Sequence, residues 1–110
     1  MRDATRGRLS PGKGWLVDVM RQVDFGRIEG VAVRDGEPRR EPAPRVVRTV
    51  RLGAERKEAH RESGSRDFAL KREVLELFAE CARIGEGVIE RIEVRGGVPF
   101  LAEIVEATGA

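Results

Sequence analysis

The second half of the chain carries the clearest helical pattern in the sequence. Charged residues cover most of one side of this segment. The apolar residues of the other side recur at helical spacing: Leu70, Val74, Leu77, Phe78, Cys81 and Ile84. This spacing predicts an amphipathic helix that buries one face. Ser65 or Asp67 can cap its start, because either side chain can accept a hydrogen bond from a free amide of the first turn. Gly85 and Gly87 end it.

A shorter stripe near the N-terminus predicts a first helix, with an apolar face made of Leu16, Val19, Met20 and Val23. Ser10-Pro11 is typical of an N-cap followed by proline in the first helical position. Gly12 and Gly14 disfavour helix, so we expect regular helix to begin near Trp15. It should end near Asp24.

An alternating pattern follows each helix and predicts a strand. Val31 and Val33 should share the buried face of the first strand. The buried face of the second should carry Val88, Ile92 and Val94. Asp35-Gly36 and Gly96-Gly97 predict tight hairpin turns, because these residues tolerate the positive φ that such turns require.

The two predicted return strands differ. Val98–Val105 is a plain return strand with Pro99 near its start. In the first hairpin, the prolines at positions 38, 42 and 44 lack an N–H group, so residues 37–44 cannot form a central strand. Arg45–Leu52 regains β character. We therefore expect an interrupted strand at a sheet edge.

A block of sequence occurs twice. Residues 26–38 read GRIEGVAVRDGEP, and residues 87–99 read GVIERIEVRGGVP. At an offset of 61 positions, seven residues of the first block are identical in the second: Gly26, Ile28, Glu29, Val33, Arg34, Gly36 and Pro38. The helical stripes precede both blocks at the same offset. The repeat predicts one structural unit paired with a copy of itself, with Ile28 and Ile89, and Val33 and Val94, in equivalent core sites.

The predicted order is helix–hairpin, linker, helix–hairpin. One such unit buries too little surface to be stable alone. Two units can form an α+β domain in which two helices lie on one face of a four-stranded antiparallel sheet. The alternative is an intertwined dimer. We assign a disordered tail to residues 1–9, the first unit to 10–52, a charged linker to 53–65, the second unit to 66–106 and a tail to 107–110.

The repeated pattern of apolar helix, glycine, β-branched strand, turn glycine and return strand resembles the YezD-like proteins. These are very small bacterial proteins, each of which looks like one helix–hairpin unit. The residues that carry the resemblance are Gly87, Ile89, Ile92, Val94, Gly97 and Ile104, and in the first copy Gly26, Ile28, Val31, Val33 and Gly36. The resemblance implies the fold and no activity.

Composition narrows the class of protein. The chain has 110 residues, 36% of them charged and 40% hydrophobic. It has no apolar run long enough to span a membrane and no signal-peptide segment, so we expect a cytoplasmic location. Its single cysteine, Cys81, excludes an internal disulfide and fits a buried helix position. The net charge is +2 over residues 1–33, +4 over 34–66 and −4 over 67–110, so front and rear can attract each other within or between copies.

The arginines are candidates for a binding surface, especially Arg39, Arg40, Arg45, Arg48 and Arg51. Arginines on an edge strand can grip phosphates, but they also prevent edge-to-edge aggregation. We favour this structural role, because no aromatic residue lies near them in sequence to stack on bases. Arginine richness can also reflect a GC-rich genome.

Glu29 and Glu90 form a symmetric polar pair. Strict alternation places them on the inward face, so each must lie at a rim or beside a cation. Arg34 and Arg95 should face outward. We favour a structural role for the pair over a binding cleft. His60 lies in the polar linker without partners, and Gly12-Lys13-Gly14 lacks the rest of a phosphate-binding loop.

No catalytic, metal or cofactor motif is present in the sequence. We expect a non-enzymatic interaction module that binds another protein or itself through sheet edges, especially Arg45–Leu52. The alternative is a nucleic-acid-binding accessory protein that uses the arginine-rich segment 39–51. Neither hypothesis requires a cofactor, a membrane or a small-molecule substrate.

Overall fold

In the part of the chain that the structure describes, two helices and a five-stranded antiparallel sheet form an α+β fold. The computed structural model describes residues 9–53 and 70–106. Along the chain the elements are α1 (Pro11–Val23), β1 (Phe25–Arg34), β2 (Glu37–Arg39), β3 (Arg45–Arg48), α2 (Arg72–Ile84), β4 (Gly87–Arg95) and β5 (Val98–Val105). The predicted tails, apart from Leu9, and the predicted linker, apart from Gly53, lie outside the described residues.

Helix α1 begins earlier than its glycines suggested. Ser10 is the N-cap, its hydroxyl accepts a hydrogen bond from the Lys13 amide at 3.4 Å, and Pro11 opens the helix. The Ser10 hydroxyl also donates to the Glu37 carboxylate at 2.6 Å. A Cβ on Gly12 would overlap the Pro38 carbonyl oxygen. Gly12 therefore belongs to the first turn because it lets α1 approach β2 closely, and the expected start near Trp15 is wrong.

Helix α2 buries the predicted stripe, although it starts later than expected. Val74, Leu77, Phe78 and Cys81 are buried. The helix begins at Arg72, with Lys71 in the N-cap position and no capping side chain. The predicted caps at positions 65 and 67 lie outside the described residues. Gly85 ends the helix, with its amide bonded to the Cys81 carbonyl oxygen at 3.1 Å.

The centre of the sheet is the antiparallel pair β1–β4. Ile28 lies opposite Ile92, and Val31 lies opposite Ile89. All four side chains are fully buried, at 0% exposure. Residues from β1, β4 and both helices form one core, consisting of Leu16, Val17, Met20, Val23, Ile28, Val31, Val33, Val74, Leu77, Phe78, Cys81, Ile89, Ile92 and Val94.

Strict alternation fails in the middle of both central strands. In β4 the ladder to β5 passes from Ile89–Ile104 to Arg91–Glu103, so Glu90 is the extra residue of a β-bulge. The bulge brings Ile89 into the core and leaves Val88 39% exposed. The predicted burial of Val88 is therefore wrong. In β1 two residues likewise separate the buried Ile28 and Val31, and Gly30, one of these two, has φ +83°.

The first return strand is split, as the prolines predicted. Strand β2 pairs with Ala32–Arg34, and β3 pairs with Gly26–Glu29, so both lie along the same side of β1. Residues 40–44 bulge out between them and include a cis Glu41–Pro42 peptide bond. Strand β3 stops at Arg48, four residues short of the predicted end at Leu52.

Both hairpin turns have the predicted backbone. Asp35 and Gly36 adopt φ values of 57° and 73°, and Gly96 and Gly97 adopt 61° and 80°. Positive φ at both central residues is the signature of the type I′ hairpin turn. The second hairpin returns as the continuous strand Val98–Val105, with the predicted bounds.

Candidate functional site: the sheet edges and the open face

The five candidate arginines do not converge on one surface. Arg39 ends β2, where its guanidinium lies 3.5 Å from the Asp35 carboxylate and donates to the Arg34 carbonyl oxygen at 3.1 Å. Arg45 lies opposite Glu29 and Arg48 lies opposite Gly26, three residues apart on β3. The alternation of a strand places these two arginines on opposite faces. Arg40 and Arg51 are exposed and lie outside the strands.

Glu29 anchors neighbouring arginines on the open face of the sheet, defined here as the face that carries Arg27, Glu29, Arg91 and Glu93. Its carboxylate accepts a hydrogen bond from Arg27 at 2.7 Å and lies 3.6 Å from the Arg45 guanidinium. The hydrogen bond from Arg27, helped by the charges of Arg27, Arg45 and Arg91, lowers the pKa of Glu29 despite partial desolvation. The Glu29 carboxylate therefore lies beside two cations, and its structural role stays a prediction.

Charges of alternating sign cross the sheet in register with Glu29. Glu29 on β1 lies between Arg45 on β3 and Arg91 on β4. Arg91 in turn lies opposite Glu103 on β5. Arg91 lies 3.2 Å from Glu103 and 3.4 Å from Glu93. Opposite charges in cross-strand positions stabilise a sheet, and they leave little uncompensated charge on this face.

Glu90 has a different environment from Glu29. It is the bulged residue of β4 and is exposed, so the predicted symmetric pair does not share one setting. The two strand-terminal arginines, Arg34 and Arg95, are both exposed. The Arg95 guanidinium lies over the Phe100 ring at 4.2 Å from the centroid, and Phe25 lies opposite Arg95 on β1. The stacking of Arg95 on Phe100, with Phe25 on the neighbouring strand, was not visible in the sequence, because residues 25, 95 and 100 come together only through strand pairing.

The remaining candidates offer little chemistry. Cys81 is fully buried, and burial raises the pKa of its thiol to about 11, which disfavours the reactive thiolate. His60 lies outside the described residues. Within residues 9–53 and 70–106, no group of three or more potential ligands could hold a metal ion.

The outer edge of β5 is one of the two edges of the described sheet. Strand β5 is last in the order β2-β1-β4-β5, has eight residues and pairs only with β4 among the described strands. Phe100, Leu101 and Val105 on it are 44%, 42% and 49% exposed. An unpaired edge of this length and apolarity is a template for another strand.

A groove runs along this edge, between α2 and β5. Its helix wall carries Glu73, Glu76 and Glu80, and its floor includes Leu77, Ala102 and Ile104. We call it the β5 groove. It is an open groove of about 510 Å³.

Arg83 forms ion pairs near the C-terminal end of α2, beside the β5 groove. Arg83 lies 2.7 Å from Glu106, just beyond β5, and 3.0 Å from Glu80 on its own helix. The hydrogen bond that Arg83 donates to Glu106, and then the one that it donates to Glu80, raise the pKa of Arg83. Glu73 and Glu76 form no ion pair within the described chain. Considering residues 9–53 and 70–106 alone, the helix wall therefore carries negative charge without a cation partner at Glu73 and Glu76.

Two signals in the sequence pointed toward this groove. The segment 67–110 carries the net charge of −4, and the glutamates at 73, 76 and 80 recur at helical spacing. Neither signal shows that this face of α2 lies beside β5, because that depends on how the helix packs.

Comparisons of the chain with protein-family models, with curated proteins and with solved structures found no match. The resemblance to YezD-like proteins therefore stays a prediction. None of the helices in the described ranges is long and apolar enough to cross a membrane.

Proposed function

We propose that this protein is a non-enzymatic interaction module that binds an extended segment of another protein, or of a second copy, at the outer edge of β5. The observation that carries the proposal is the eight-residue edge of Val98–Val105, which has no partner strand among the described residues and lies beside a groove with an apolar floor. In strand addition, backbone hydrogen bonds supply affinity and side-chain pockets supply specificity. The β5 edge provides the first and the β5 groove the second.

The opposite edge, favoured from sequence, is less suited to this role. Strand β3 has four residues, and Pro42 and Pro44 interrupt the chain before it. Proline lacks the donor that an added strand needs. Exposed charges at Arg45 and Arg48 also discourage pairing along this edge.

The same proposal includes the two-unit architecture, with both helices on one face of the sheet. The offset of 61 positions places Ile28 over Ile89 and Val31 over Ile92. In the sheet Ile28 lies opposite Ile92, and Val31 lies opposite Ile89, so exchanging the units converts one pair into the other. Strands β2 and β3 together then correspond to β5. This register supports a duplicated helix–hairpin unit.

The test is NMR of the backbone amides. The protein is titrated with pooled peptides of eight residues, the length of β5, and separately concentrated without peptide. We expect shift changes and slower amide exchange along Val98–Val105 in at least one series. The amides of Arg45–Arg48 serve as an internal control in the same spectra. Changes confined to β3 or to the open face, or no change in either series, would refute the proposal.

Nucleic-acid binding is the second candidate, and one observation favours it. Phe25 and Phe100, both nearly half exposed, flank Arg95 on the sheet and provide the kind of stacking surface used for single strands. It ranks second because Glu29, Glu93 and Glu103 lie on or beside the open face and repel phosphates.

Fluorescence anisotropy with labelled random-sequence DNA and RNA separates the two candidates. We expect no binding at physiological salt, because the open face carries little net charge. Binding that persists there, and is abolished when Arg95 is replaced by glutamate, selects the nucleic-acid function instead.

A further inference from the structure

We infer that the segment accepted by the β5 edge is a basic strand from another protein, in which arginine or lysine alternates with apolar residues. The inference rests on the proposed function and adds the chemistry of the partner. It follows from the faces of β5, from the unpaired charge in the β5 groove, and from the charge of the alternatives.

The register of β5 defines what an added strand would meet on each face. Ala102 and Ile104 lie opposite the buried Ile92 and Ile89, so both are on the helix side. Leu101 lies opposite Glu93 and therefore on the open face. Side chains of an added strand continue these two faces, about 4.8 Å further out.

The helix side favours long cationic side chains. Their aliphatic stems can lie on Leu77, Ala102 and Ile104, and their charged ends can reach the glutamates of α2. Glu80 is already held by Arg83 at 3.0 Å, whereas Glu73 and Glu76 have no cation partner in the described chain. The β5 groove can therefore accept about two positive charges from a partner, one beside each of these two glutamates.

The open side favours apolar side chains. Leu101 and Val105 are 42% and 49% exposed there, and an apolar neighbour would cover them. Cross-strand apolar pairs are a main source of sheet stability. An alternating basic and apolar strand satisfies both faces at once.

The charges disfavour the other occupants. Two copies joined through their β5 edges would bring two sets of glutamates together, at positions 73, 76 and 103. Like charges facing each other at an interface cost affinity. Phosphates of nucleic acid meet the same repulsion.

The test uses the full-length protein and a fluorescein-labelled peptide of eight residues, the length of β5, with alternating arginine and valine. Three control peptides replace arginine by glutamate, replace arginine by threonine, or keep the composition in two blocks without alternation. Fluorescence anisotropy at low and high salt gives the affinity of each. We expect the alternating arginine peptide to bind most tightly and its affinity to fall with salt.

The matched variants isolate the groove glutamates. Glu73→Gln with Glu76→Gln should weaken the arginine peptide about fivefold at low salt, since each exposed ion pair contributes modestly. Asp35→Asn with Glu41→Gln removes the same charge beside β2, at the opposite edge of the sheet, and should change little. All four side chains are exposed, so unchanged thermal melts show that each variant is folded.

The outcomes separate the two proposals. Equal binding of the threonine and arginine peptides, or no weakening by the Glu73 and Glu76 replacements, overturns the basic partner while strand addition survives. Self-association that none of the peptides displaces also overturns the basic partner, and it assigns the β5 edge to a second copy of the protein. Failure of all peptides to bind, together with a monomeric protein at all concentrations, overturns both.

Discussion

Matched truncation of Ile28 and Ile89 tests the two-unit architecture at its centre. Both side chains are 0% exposed, and they lie on the central strands β1 and β4. Each is opposite an apolar residue of the other unit, Ile92 for Ile28 and Val31 for Ile89. If the units are equivalent, Ile28→Ala and Ile89→Ala should destabilise the fold by similar amounts.

The expected loss is large but measurable. A fully buried isoleucine replaced by alanine loses transfer free energy and leaves a cavity, together worth about 3 kcal/mol. A domain of this size has a free energy of unfolding of about 5–15 kcal/mol, so each variant should still fold. In urea, with a slope of about 1.5 kcal/mol per molar, the midpoint should fall by about 2 M.

Urea unfolding followed by far-UV circular dichroism measures both losses. Ile28→Val and Ile89→Val repeat the comparison with a smaller cavity, at about 1 kcal/mol each. Val46→Ala, at a side chain that is 47% exposed, should cost less than about 0.5 kcal/mol. Losses at the two isoleucines that differ by more than about 1 kcal/mol would refute their equivalence.

Two further predictions concern packing and pH. Gly12→Ala should lower the free energy of unfolding, measured in urea, by about 1–3 kcal/mol, because the new Cβ would overlap the Pro38 carbonyl oxygen and push α1 off β2. A higher free energy of unfolding, from the better helix propensity of alanine, would show instead that α1 can shift freely. For Cys81, burial raises the pKa from 9.0 to about 11, so the unfolded state loses its thiol proton first. Between pH 9 and 11 stability should therefore fall by up to about 1.4 kcal/mol per pH unit, and this component should vanish in Cys81→Ala; identical alkaline slopes in both proteins would contradict it.

Local patterns in the sequence predicted most of the elements. The stripe from Val74 to Cys81 is buried as expected. The turn at Asp35-Gly36 has the required positive φ at both residues. The prolines between β2 and β3 split the return strand. These features depend on spacing and on backbone preferences that each segment carries by itself.

Features that depend on neighbouring strands could not be predicted in the same way. The bulge at Glu90 exists only relative to β5, and it determines that Ile89 rather than Val88 enters the core. The β5 groove needs the packing of α2 beside β5. The stacking of Arg95 on Phe100 joins residues whose contact follows from pairing across the hairpin. Strict alternation is a rule for one regular strand, and it fails where a strand has an extra residue opposite its partner.

The split of the first return strand has a consequence for the size of any assembly. One edge of the sheet is continuous along Val98–Val105, while the other is divided into segments of three and four residues separated by prolines. After one strand has been added at β5, the opposite edge of the same molecule is a poor site for a second strand. Each molecule of this protein should therefore bind one strand of a partner. This gives the complexes a fixed stoichiometry and prevents molecules from joining edge to edge into a polymer.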